Sequence, residues 1–164
     1  MHRALLIAAT FAATCTAQQA TYSYFGTPAK VACSPVGADV THTATNLPRI
    51  GTTFAVDVPA SSGDCSYLCH LRLFATGLSN TSFNGLPLPI ATPNACGELR
   101  ISLDAIALTP LLPTGSSTTS TLTIPAAPNL VGMDFYQQSV SLTYTLGGFN
   151  VAAWGRAGHG TIGN

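Results

Sequence analysis

The sequence predicts an all-β fold, an antiparallel two-sheet β-sandwich or jelly roll. Three observations carry this expectation: apolar and polar side chains alternate with a period of two in several short runs, Gly- and Pro-rich turns separate those runs, and no window shows capped helical apolar spacing. Charged residues make up 7% of the chain against a typical ~25%, so Thr, Ser, Asn and Gly must solvate the surface.

Taken in order, Thr21 to Phe25 is a short β-prone segment closed by Gly26-Thr27-Pro28. Val36 to Thr45 alternates weakly and allows a strand. In Thr52 to Val58, Phe54, Val56 and Val58 alternate with Thr53, Ala55 and Asp57, which predicts a half-buried strand. Cys65 to Ser79 is a long run rich in strand formers, free of Gly and Pro up to Thr76, and the expected centre of the fold. As one strand it places Cys65, Tyr67, Cys69, Leu71, Leu73 and Ala75 on a core face, with Ser66, Leu68, His70, Arg72 and Phe74 opposite.

Asn80 to Ala95 contains Asn84-Gly85 and the prolines 87, 89 and 93, and reads as a long irregular connection. Leu99, Ile101 and Leu103 alternate with Arg100, Ser102 and Asp104 as a further strand, and Pro110 to Gly115 breaks the chain again. Thr119 to Ile124 is expected to turn Leu122 and Ile124 inward. Leu130 to Tyr144 is ambiguous at its start, but Tyr136, Val140, Leu142 and Tyr144 share one parity and favour a strand. Phe149 to Trp154 is the last strand, ahead of a glycine-rich end from Gly155 to Gly163. Neither heptads nor solenoid repeats occur, and nothing marks a second domain.

Met1 to Ala17 has the plan of an export signal: His2-Arg3, an apolar run from Ala4 to Ala13, then small residues to Ala17. That run is too short to span a bilayer. We therefore expect residues 1–17 to be removed and residues 18–164 to form one domain, secreted and extracellular or held at the cell surface. Without Arg3, five basic residues face six acidic ones, with no basic patch for nucleic acid. Cys33, Cys65, Cys69 and Cys96 would remain, an even number that suits two disulfides with three connectivities. In a regular strand Cys65 and Cys69 would stand roughly 13 Å apart, too far to bridge. Either a turn at Ser66 to Leu68 closes that pair or each reaches elsewhere; we favour Cys33 with Cys96 and Cys65 with Cys69.

For chemistry, Cys65-x-x-x-Cys69-His70 is one residue longer than a c-type haem attachment motif, with His42, His159 or Met133 as conceivable axial partners. The strand-like context and the oxidising export route favour a structural disulfide and no cofactor. The histidines show no metal-ligand spacing, the carboxylates no calcium-loop pattern, and no Gly-x-Ser-x-Gly occurs. Asp57, Asp104 and Asp134 are the carboxylates open to glycoside hydrolysis, although ordinary solvation at strand edges suits them better. For binding, Tyr22, Tyr24, Phe83, Tyr136 and Trp154 are candidate stacking aromatics. Asn80, Phe83, Asn84 and Trp154 form the favoured surface, on and near the long connection.

The chain also carries Tyr24-Phe-Gly-Thr27 ahead of Cys33, Leu47-Pro-Arg-Ile-Gly-Thr-Thr-Phe54, and Gly77-Leu-Ser-Asn-Thr-Ser-Phe-Asn-Gly-Leu-Pro-Leu-Pro-Ile90. Cys96 with Ile101-Ser-Leu-Asp104, Ile124-Pro125, Pro128-Asn-Leu-Val-Gly132, Phe135-Tyr-Gln-Gln138 and Gly160-Thr-Ile-Gly163 complete the set. In these motifs it resembles a planctomycete-type family of small exported β domains, found alone or as C-terminal modules of larger exported proteins. The resemblance implies a shared fold and supplies no catalytic residue. It also implies that Cys33 and Cys96 sit where such domains carry cysteines, and that Cys65 and Cys69 are a local addition. The function expected is a secreted structural or adhesive module without catalysis, and the alternative is a carbohydrate-binding module. Its partner would be an extracellular glycan or a cell-surface protein, with no nucleic acid and no membrane span.

Overall fold

The computed structural model describes residues 18–27, 42–59, 70–92, 95–109, 117–145 and 148–164. Twelve strands follow in chain order: β1 (Thr21–Phe25), β2 (Thr43–Ala44), β3 (Thr53–Pro59), β4 (His70–Gly77), β5 (Ser82–Phe83), β6 (Leu86–Pro87), β7 (Ile90–Ala91), β8 (Glu98–Leu99), β9 (Ala105–Thr109), β10 (Ser117–Thr123), β11 (Asp134–Thr145) and β12 (Gly148–Thr161). The fold is all-β, and its ladders are antiparallel. A five-stranded sheet runs β1-β12-β11-β4-β9, and a three-stranded sheet runs β10-β3-β2.

The small sheet lies against one face of the large one, giving a sandwich-like arrangement. Phe54, Val56 and Val58 of β3 cluster with Phe74 of β4, Phe135 of β11, Ile124 and Ile162. The alternation in Thr52 to Val58 thus translates directly into a buried face, as expected. The central stretch behaves differently. Within β4, Arg72 and Phe74 belong to the face that meets the small sheet, while Ala75 joins a second cluster on the opposite face with Leu99, Ile101, Val140, Trp154 and Ala157. A strand with neighbours on both sides and cover on both faces has no outer parity, so from Arg72 to Ala75 both parities are interior, while Cys65 to Cys69 of the expected strand lie outside the described residues.

The second face is covered by the connection from Leu78 to Leu103 rather than by a sheet. This connection holds two small hairpins, β5-β6 and β7-β8, so it is more regular than the proline content predicts. The β5-β6 turn is Asn84-Gly85, with φ of 49° and 78°, the left-handed pair that a tight hairpin requires. The predicted strand from Leu99 to Leu103 is not one. Only Glu98–Leu99 pairs, and both Ile101 and Ser102 are buried, because this segment lies across a sheet and is not a rung of it. The following strand, β9, was not predicted, because Ala105-Ile-Ala-Leu-Thr109 lacks polar alternation.

The glycine-rich end is also a correction. β12 continues unbroken to Thr161, since its glycines leave room for aromatic rings. A Cβ on Gly158 would collide with the Tyr22 hydroxyl, and one on Gly160 with the Phe135 ring. Leu130, at the ambiguous start of its predicted strand, ends a short 3-10 turn over Pro128–Leu130, and β11 begins at Asp134. Cys33, Cys65 and Cys69 lie outside the described residues. Cys96 is buried and disulfide-bonded.

Candidate functional site

The favoured binding residues do not assemble into one surface. Trp154 is 5% exposed, and its indole N–H donates to Thr92 Oγ1 at 2.9 Å, so its ring is interior and not a stacking platform. Phe83 is half-buried against the same apolar cluster. Asn80 and Asn84 are exposed, Asn84 at the hairpin tip. Of the other aromatics, Tyr22 lies against the inner cluster, and Tyr24 has Arg156 5.6 Å over one face of its ring.

Polar side chains line the interior instead. On β11, Gln137, Ser139 and Ser141 point towards the small sheet, where His42 is fully buried. The Tyr22 hydroxyl donates to Gln137 Oε1 at 3.1 Å and meets His42 Nε2 at 2.6 Å, so the ring proton of His42 resides on Nε2. Gln137 Nε2 then donates to Thr76 Oγ1 at 3.3 Å. Burial holds the His42 pKa down at about 4 and pushes the Tyr22 phenol up, so both are neutral near pH 7.

Gln138 performs the matching task on the other face. Its amide donates to Glu98 C=O at 2.9 Å and to Gly155 C=O at 2.8 Å, and its carbonyl accepts from Arg100 N–H at 3.0 Å. One fully buried side chain thereby ties the covering connection to β12. The only sequence signal for either glutamine was the Phe135-Tyr-Gln-Gln138 string; composition and periodicity gave none.

The three aspartates are apart and individually occupied. Asp57 accepts from the Thr119 hydroxyl at 2.7 Å. Asp104 accepts from the Ser102 hydroxyl and Leu78 N–H, which hold its pKa below the ordinary carboxylate range. Asp134 accepts from Thr161 at 2.7 Å, which lowers its pKa, and also faces His159 Nε2 at 3.0 Å. His159 stacks on Tyr136 with ring centroids 4.9 Å apart, so it belongs to a strand surface and not to a loop. Among the described residues no group of three His, Cys, Asp or Glu is placed to hold a metal ion, and no helix is long and apolar enough to cross a membrane.

The concave feature that stands out is apolar. Where β4 ends and β10 and β11 meet, Leu78, Leu122, Ile124, Pro125, Leu130 and Met133 surround a cleft of about 170 Å³ floored by Phe135 and Ile162. Leu78 is 59% exposed and Met133 40%, so two of the large apolar side chains left in water stand together at this cleft. Sequence reasoning missed it, because its residues come from four separate stretches, 76–78, 122–125, 130–135 and Ile162. No family model, curated protein or solved structure matches the chain.

Proposed function

We propose that the chain is a secreted structural or adhesive module that acts by binding and not by catalysis, and that its apolar cleft receives an extended apolar polypeptide segment of a cell-surface partner. The observation that carries this reading is the lining of the cleft. Apart from Thr76 and Thr123, every lining side chain is hydrocarbon, proline, thioether or phenyl. A sugar placed there would leave its hydroxyls without partners, at a cost of roughly 1–3 kcal/mol for each buried polar group. A polypeptide can bury alternate apolar side chains in the cleft and keep its backbone paired outside it.

The carbohydrate alternative keeps Asn80, Asn84 and half-buried Phe83 as its support. Parallel peptide and glycan arrays separate the two. Binding to apolar peptides that is lost in Leu78→Glu and Met133→Glu supports the cleft. Glycan binding that survives both substitutions and disappears in Phe83→Ala or Asn84→Ala replaces it with the lectin-like reading.

A further inference from the structure

We propose that β10 is a dimerisation edge, pairing antiparallel with β10 of a second copy of this chain about Ser120, so that two three-stranded sheets become one of six strands. The backbone directions come first. Thr45 N–H donates to Ala55 C=O, and Ala55 N–H to the Asn46 side chain, so the odd residues of β3 face β2. Its even residues therefore serve β10. At the far end of that ladder Ile124 N–H donates to Thr52 C=O and Ile124 C=O accepts from Gly51 N–H, which fixes the even residues of β10 as those bonded to β3. Ser117, Thr119, Thr121 and Thr123 consequently direct N–H and C=O outward along an edge that no strand among the described residues pairs.

That edge lacks the usual protection. Ser117-Thr-Thr-Ser-Thr-Leu-Thr123 has no charge and no proline, and its register against β3 runs without a bulge. Edge strands in monomers normally carry at least one of these devices. The strand is also complementary to itself. Antiparallel pairing about Ser120 sets Thr119 opposite Thr121 and Ser117 opposite Thr123, all outward-directed residues, so each donor finds an acceptor. On the inner side Thr118 meets Leu122 and Ser120 meets Ser120, with no charge opposed to a like charge. Without residues 1–17 the chain has five basic and six acidic residues, a formal net charge of about −1, so copies repel one another only weakly at long range.

A seven-residue edge is roughly 24 Å long at ~3.4 Å per residue. Pairing along it covers less than the ~800 Å² per partner of a standard interface, so the dimer is reversible and depends on concentration. Beside it, exposed Ile106 of β9 borders the groove that Ser120, Thr121 and Leu122 also line, and a second copy covers this groove as well.

Sedimentation velocity of the processed chain from micromolar to hundreds of micromolar tests the proposal, with a shift from monomer to dimer expected. Thr121→Pro removes an outward N–H without touching the β3 ladder, and Thr121→Lys places a charge on the edge while keeping the backbone donor. Each is expected to weaken association at least about tenfold, with far-UV circular dichroism unchanged. Ser120→Cys is expected to give a disulfide-linked dimer on a non-reducing gel. A chain that stays monomeric throughout overturns the proposal, as does a dimer that persists in both Thr121 variants. A dimer lost in Leu78→Glu and kept in Thr121→Lys also overturns it and assigns association to the cleft. Loss in the reverse pattern supports β10 and leaves the cleft reading intact.

Discussion

On the face of the five-stranded sheet that meets β3, aromatic rings are interleaved with a hydrogen-bonded polar set: Phe54, Phe74 and Phe135 beside Tyr22, His42 and Gln137. On the opposite face a covering connection supplies Leu99 and Ile101 against Val140, Trp154 and Ala157, with Gln138 as its fastening. The first face is sheet against sheet, so its side chains are placed by two ladders. The second is sheet against loop, so its cover depends on a few anchors. The bonded set of Tyr22, His42 and Gln137 costs little only while Tyr22 and His42 stay neutral and keep their bonds. On the loop-covered face that condition falls on Gln138, whose three bonds fasten the cover.

The largest expected effect is therefore on the loop-covered side. Trp154→Ala removes the biggest ring of that cluster together with its bond to Thr92, and is expected to cost about 3–5 kcal/mol in urea-induced unfolding. If the two faces are held as described, hydrogen exchange rises first in residues 78–103 and only later in β3. Equal loss of protection on both faces would break the comparison.

Acid is the probe of the other face. His42 has a folded pKa of about 4 against an ordinary 6.5, so below pH 6.5 the unfolded chain takes up a proton that the folded chain refuses. The stability that neutral His42 contributes is complete above pH 6.5 and is lost as pH falls towards 4, with a total of about 3 kcal/mol. Asp104 and Asp134, whose pKa values are lowered, add their losses only below the ordinary carboxylate range near 3.8, so the windows separate. Denaturant midpoints measured between pH 7 and 4 should fall in the native chain and stay nearly level in His42→Leu. A level profile in the native chain would show that His42 is not sealed.

How much of this was legible in the sequence follows from the same contrast. The period of two in Phe54, Val56 and Val58 was readable because β3 has one inner face. In β11 the apolar parity, Tyr136, Val140 and Leu142, lies on the loop-covered side, while the polar parity, Gln137, Ser139 and Ser141, points into the sandwich-like interior. No periodicity argument finds that, because a doubly covered strand has no solvent side to mark. The candidate site was less legible still. Trp154 drew attention as an aromatic near a long loop, yet its surroundings are set by Thr92 and Gln138, contacts between residues far apart in the chain. The apolar cleft needs the ends of β4, β10 and β11 to be brought together before it exists.

A smaller effect tests the polar network itself. Tyr22→Phe keeps the ring against Phe54, 5.1 Å between centroids, and removes only the hydroxyl that joins His42 to Gln137. It is expected to cost about 1–3 kcal/mol, because two buried partners lose their bond at once. An unchanged midpoint would mean that the network contributes nothing beyond shape.

The smallest effect belongs to the rim of the loop cover, where Arg100 Nη2 lies 2.6 Å from Glu98 Oε2 with side-chain exposures of 22% and 39%. Water and salt screen such a pair, so Glu98→Gln should cost less than about 1 kcal/mol. The neighbouring backbone is held by Gln138 and does not need the ion pair: Glu98 C=O and Arg100 N–H both bond that buried amide. Gln138→Leu, which leaves those groups and Gly155 C=O unpaired, should exceed Glu98→Gln several-fold in the same urea titration. If the two variants cost the same, the connection is held by surface charge, and the distinction between an anchored face and a laddered one fails at its anchor.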